Sequence, residues 1–578
     1  ATRLAPEVPE TWVATIQFLV SVKKTAEARA LLDKAEETIP PDKRDVALAL
    51  CYEALQLDEE AEAKYKEASE ATPDDAILVR HMATFYLRGG KPEEAETQLN
   101  RIIDGKLNAS KNDVVWARRQ LALVLSSRRD YRATQQAIEL IRKNVEEGAS
   151  PEDQRLLAKI QATMPQAANR MLAISALEDL LENQNTESPE DRFALARLYL
   201  ARGNWEKFSE HMRELLVSHG DQPRYLTAYV DALLKRGLTY EARDRLKRLE
   251  AVAPNAVATY VLKARTLAQA EKYDAVIRLM REYVADNKAE PTNSDSRLGQ
   301  AALILEQVIA QLKTESRRDG VEEKTAVQKT NAAKKLADEA EKLYLRYTQF
   351  RRERRIVLAG FYARQSRMAD AMAIIEDEWK RADPTALAQA LRIVLKSPES
   401  TPDLIRRGEK VAQDSLEHHE RAFPLLIIMA DVRTIHAQYA EAEGYYREIL
   451  KESSGNTIVL NNLAVLLAIQ GKKLDEALKL VNRAIELTGP NSSMLDSRAT
   501  VYLALKKPEK ALAELDRAIK EEDAPTRRLH QAQAYFQLGR KRAAANSLRI
   551  AERDGLAAQP LLVSERKTYA ALKKQLPK

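Results

Sequence analysis

Small residues recur in step along this chain, and that recurrence limits the folds it can adopt. Leu463-Ala464, Leu467, Gly471, Ala477, Val481, Ala484, Leu487 and Pro490 set out a pattern. Ala499, Tyr502, Ala511, Leu515 and Ala518 repeat it, and so do Ala532, Tyr535, Gly539, Ala544, Leu548 and Ala551. Successive units begin about 34 residues apart, the length of two short helices and their turns. In each first helix the Ala lets a partner helix approach closely. The aromatic or Leu three residues later lies one turn along on the same face and fills the gap. Gly471 and Gly539 fall where a turn needs a backbone that L-residues disfavour, and Pro490 ends a helix.

The same template runs back through the chain. Trp12, Leu19, Ala28 and Leu32 open it, followed by Leu48-Ala49, Tyr52, Ala61, Tyr65 and Ala68. It returns at Leu195-Ala196, Tyr199 and Gly203, at Leu358-Ala359, Tyr362 and Ala371, and at Met429-Ala430, Tyr439, Ala442 and Tyr446. About a dozen units fit, and the pattern resembles the tetratricopeptide repeat (TPR) of multi-repeat bacterial proteins. The resemblance implies an all-α fold, an α-solenoid in which helix–turn–helix repeats wind into a right-handed superhelix. Composition agrees: 17 Gly and 21 Pro in 578 residues leave few strand or hairpin signals, and 45% hydrophobic content excludes a disordered chain.

Two stretches break the register. Residues 288–350 read as a repeat with extended helices, Leu298 to Leu312 and Ala332 to Tyr347, joined by a charged loop from Lys313 to Lys329 that includes Gly320. Pro384 to Val411 is helical but fits the template poorly. The expected organisation is therefore an N-terminal array over 1–287, the extended repeat over 288–350, and a C-terminal array over 351–578. The last helix, Leu561 to Leu576, is expected to cap the final exposed face.

Chemistry is sparse. No phosphate-binding, dinucleotide, zinc-protease or hydrolase motif occurs, and Gly89-Gly90-Lys91 runs into Pro92 in a turn. Cys51 is the only cysteine, so neither an intrachain disulfide nor a cysteine metal cluster can form. His418 and His419 are adjacent and point about 100° apart on a helix, which prevents shared ligation. The reading is no enzyme, no catalytic residues, no metal and no cofactor.

Net charge is +6, from 92 basic and 86 acidic side chains, without the strong excess of a nucleic-acid binder. The clusters Arg351, Arg352, Arg354, Arg355 and Arg527, Arg528, Arg540, Lys541, Arg542 lie beside acidic neighbours and carry no aromatic stacking platform. They read as solvated helix starts and turns. No apolar run approaches the ~18 residues of a membrane span. The chain begins at Ala1 rather than Met, so loss of a leader, an anchor or an upstream region is expected to be compatible with it. Cytoplasm and the bacterial periplasm or cell envelope both stay open.

TPR proteins bind peptides and extended segments on the concave face lined by first helices. The resemblance implies the same here, a scaffold or adaptor for protein or peptide partners, with self-association also open. Counting on the template, first-helix positions directed away from the partner helix are Asn461, Asn462, Val465, Asp496, Ser497, Thr500, Leu503, His530, Gln533 and Phe536. The asparagines offer both donors and acceptors at helix positions they otherwise disfavour. Asn462→Ala with Phe536→Ala is expected to weaken capture of a partner. The clamp by which chaperone adaptors grip a C-terminal carboxylate matches only at Asn462; Ser497, Thr526 and His530 depart from it, so that activity is not carried over. The base-reading pairs of pentatricopeptide RNA binders are not found. Alternatives are a binder of an anionic polymer through a basic face, nucleic acid or polysaccharide, and the regulatory array of an enzyme whose catalytic domain lies elsewhere.

Overall fold

A computed structural model describes the chain except residues 1, 3, 129, 149, 183–187, 318–320, 350, 560 and 578, and the side chain of 558. The described residues form 31 α-helices and two short 3-10 helices, without a strand. They divide into two units, Ala1–Thr186 and Glu187–Lys578.

Antiparallel pairs build both units. In the first, Pro41–Ala54 packs on Asp58–Ala71, Ala76–Arg88 on Pro92–Ile103, and Lys111–Ser127 on Tyr131–Glu146. In the second, Phe423–Ile435 packs on Tyr439–Glu452, Thr457–Gln470 on Leu474–Thr488, Ser492–Ala504 on Pro508–Glu521, and Pro525–Gln537 on Lys541–Arg553. The small residues sit where close approach needs them: Ala464, Ala499, Ala532, Ala477, Ala511 and Ala544 are all fully buried. Ala464 and Ala477 belong to an apolar core whose members run from Ala264 to Val501, while Ala499 and Ala511 belong to a second cluster and Ala532 to a third. Each pair buries only part of its surface, and stacking on the next pair covers the rest.

The turn inside each of the last four repeat pairs uses a left-handed residue. Gly471 (φ 65°) and Gly539 (φ 72°) meet the expectation, but Lys506 (φ 57°) and Ala437 (φ 59°) hold the same backbone with a side chain. The Lys507 N–H then donates to the Tyr502 carbonyl at 2.9 Å, as the Arg540 N–H does to Tyr535, closing the helix end.

The extended pair differs from its sequence reading. Ser294–Ser316 and Glu323–Thr348 leave only 317–322 between the helices, so most of the expected Lys313–Lys329 loop is helical. Lys, Gln, Ala and Glu favour helix there, and the Lys329 ammonium donates to Glu315 at 2.6 Å across the pair. Gly320 lies outside the described residues. The stretch that fits the template poorly forms two helices, Pro384–Lys396 and Pro402–His418. Gly408 lets them meet: a Cβ there would lie 2.8 Å from Leu395 Cδ2.

Candidate functional site

The first helices of the last repeats line a cavity of about 1450 Å³. One side is formed by Leu395 and Lys396 with the following turn, and by Asp431, Thr434 and Ile435. The floor comes from Thr457–Gln470, Ser492–Ala504 and, at its far end, Leu529, His530, Gln533 and Gln537. The C-terminal helix Val563–Gln575 leans over that far end, where Leu562, Glu565 and Thr568 join the lining.

Nine of the ten positions counted from the template ring this cavity: Asn461, Asn462, Val465, Asp496, Ser497, Thr500, Leu503, His530 and Gln533. Ser497, Leu503 and His530 are buried in its floor, and the other six are half-buried. Phe536 departs from the count. It packs with Leu529, Ala532, Leu548 and Leu572 in the core of the final repeat. The reason is helical geometry: 529, 532 and 536 share one stripe, whereas 530, 533 and 537 share the stripe facing the cavity.

Amides and hydroxyls alternate with aliphatic side chains on the floor. Asn461 Nδ2 donates to Asn462 Oδ1 at 3.5 Å, and the buried Asn461 Oδ1 accepts no hydrogen bond among the described residues. Gln537 Nε2 donates to the Leu503 carbonyl at 3.5 Å, while its Oε1 likewise accepts none. The Thr500 hydroxyl is spent on the Asp496 carbonyl at 3.0 Å.

Charge in the cavity is held in pairs. Lys396 Nζ donates to Asp431 Oδ2 at 2.6 Å, and the Tyr446 hydroxyl donates to Asp431 Oδ1 at 3.0 Å. Burial pushes the Tyr446 phenol well up, with Asp431 adding to the effect. His530 lies between two acids, its Nδ1 2.7 Å from Asp496 and its Nε2 3.5 Å from Glu565. Burial opposes the imidazolium, but Asp496 and then Glu565 outweigh it and lift the pKa to about 10.

Sequence counting did not find Asp431, Thr434, Gln537 or Glu565. Gln537 follows Gln533 by one helical turn, and Asp431 and Thr434 sit on the preceding first helix, so extending the same count would have reached all three. Glu565 carries no such signal, because its helix lies outside the repeat.

Most of the other candidates resolve into structure, although Arg351, Arg540, Lys541 and Arg542 form no ion pair among the described residues. Arg352 and Arg355 bridge Asp377 and the buried Glu378, and Arg354 meets Asp295 at 3.4 Å. Arg527 bonds Glu522, and Arg528 bonds Asp523. The rings of His418 and His419 meet the carbonyls of Lys380 and Trp379 separately, each at 2.8 Å. Burial lifts the Cys51 thiol to about 12, far from a reactive thiolate. Among the described residues no helix is long and apolar enough to cross a membrane.

A family model described as a tetratricopeptide repeat matches residues 436–492, which include the asparagine-bearing helix. No curated protein matches the chain. Among solved structures it is similar to a thermophilic TPR protein of Thermus thermophilus, at 19% identity over 33% of this chain and 97% of the other, with a TM-score of 0.27. It is also similar to Pseudomonas aeruginosa pilF, at 16% identity over 38% and 94%, with a TM-score of 0.29. A chain of the Naa15/Naa10 assembly bound to HypK-THB covers 100% of this one and 96% of itself, at 13% identity and a TM-score of 0.28. Overlaps that low carry no argument, and the site rests on its own geometry.

Proposed function

We propose that this chain, whose helices pair throughout and whose residues 436–492 match a tetratricopeptide-repeat model, is a non-enzymatic scaffold whose last repeats hold extended segments of partner proteins. The cavity floor supports this reading. Asn461, Asn462, Gln533 and Gln537 present amides that can hydrogen-bond a peptide backbone, and Val465 and Leu503 lie between them for its side chains. Amide recognition is insensitive to side-chain identity, so specificity falls to the aliphatic contacts and the paired charges at either end. A basic face for an anionic polymer is less well supported: acids engage Arg352, Arg354, Arg355, Arg527 and Arg528, which leaves Arg351 in one cluster and Arg540, Lys541 and Arg542 in the other.

The reading is tested by co-purification. Asn462→Ala with Val465→Asp in the full chain should lower recovery of bound partners at least about tenfold, since truncated hot-spot contacts cost on the order of 2 kcal/mol. Far-ultraviolet circular dichroism should stay unchanged, because both side chains are only half-buried. Undiminished recovery with intact helix content would sink it.

A further inference from the structure

We propose that Leu561–Gln575 is a displaceable occupant of the cavity, closing its far end until an incoming chain competes it away. The proposal rests on the peptide-binding reading of the cavity, but its test does not require a partner. Helix Val563–Gln575 buries a single residue, Leu572, whereas the two helices before it bury six and five. Leu561, Tyr569 and Leu576 only rest half-buried on the final repeat. Its polar attachments are few: the Tyr569 hydroxyl and Lys573 Nζ both donate to Glu552 Oε1, at 2.6 and 2.9 Å. So narrow a contact places the helix at the low-stability end of the fold, able to open while the repeats stay closed.

The N-terminal end of the same segment faces the cavity. Leu561 and Leu562 reach its lining, and Glu565, in the first turn, meets His530. That is the chemistry of a ligand, an aliphatic pair followed by a carboxylate that approaches a buried imidazole. A competing segment would offer the same: an aliphatic residue followed within a helical turn by an acid. Being attached, the occupant acts at a high effective concentration, and an incoming chain sees an affinity reduced by the open fraction.

The test uses a fluorescent peptide of residues 561–577 added to the full chain. Leu572→Asp should release the attached helix and bind the peptide at least about tenfold tighter than wild type does. Glu565→Gln, which keeps Leu572, should shift affinity the same way by less. In the wild type, hydrogen exchange of amides 563–575 should run at least about 100-fold faster than that of Pro525–Gln537. Equal affinity for wild type and Leu572→Asp, binding to neither, or exchange matched to Pro525–Gln537 would overturn the proposal. Failure of the peptide-binding reading shows elsewhere: the peptide would respond as expected while Asn462→Ala with Val465→Asp left partner recovery untouched.

Discussion

His530 Nδ1 lies 2.7 Å from the Asp496 carboxylate, joining the first helices of two successive repeats at the floor of the cavity. The imidazole is buried, and Glu565 approaches its other nitrogen from the C-terminal helix.

This arrangement makes stability fall with rising pH. The His530 pKa stands at about 10 in the folded chain, against about 6.5 when unfolded. A raised folded value stabilises fully below the unfolded pKa, and that contribution fades as pH climbs from about 6.5 towards 10. Urea denaturation of the wild type should lose on the order of a few kcal/mol across that window. His530→Gln should flatten the dependence.

A second network should behave oppositely, in the first unit. Asp153 is buried and accepts both nitrogens of the Arg119 fork at 2.8 Å, with Asn144 donating at 3.3 Å and the Ser150 hydroxyl at 3.1 Å. Burial disfavours the carboxylate, yet Arg119 and Asn144 together hold it below the ordinary carboxylate range. Its contribution is present above about pH 4 and is lost as pH falls through the depressed value. Asp153→Ala should destabilise the first unit by about 2–4 kcal/mol, measured by denaturation at pH 7, because it strands a partly buried guanidinium.

The paired turns give a conformational test. Nothing lies within 4 Å of a Cβ at Gly471, so Gly471→Ala meets only the penalty of φ 65°, and a loss of about 1 kcal/mol is expected. Lys506→Gly should act in the other direction. Relief of about 1–2 kcal/mol of backbone strain exceeds the roughly 0.5–1 kcal/mol of added unfolded-state entropy, so the midpoint of thermal unfolding should rise. A lower midpoint for Lys506→Gly would contradict this account of the turn.

Periodicity carried most of the fold, and the reason is physical. Ala464, Ala499 and Ala532 mark contacts that admit no larger side chain, so their spacing survives however the surface varies. The cavity-facing stripe followed by counting from those alanines. Phe536 failed because an aromatic next to a groove position is easily mistaken for a groove anchor; one position along the helix turns it about 100° into the core. The charged stretch after Lys313 failed for another cause. Loop and exposed helix share a composition, and the helices are held by Lys329 with Glu315 and by contacts far off in sequence, Gln328 with Glu271 and Lys313 with Gln365. Glu565 was hidden because the segment bearing it lies beyond the repeat, where no template supplies a register.

The central claim is that the face bearing Val465 holds partner segments, and photocrosslinking reads it directly. A benzophenone amino acid placed at Val465, in the cavity, is compared with one at Lys479, exposed on the second helix of the same repeat. Irradiation of the full chain with bound partners should give adducts from Val465 at least about tenfold above those from Lys479, and Asn462→Ala should diminish them. Equal yields from the two positions, or adducts from Lys479 alone, would contradict the account.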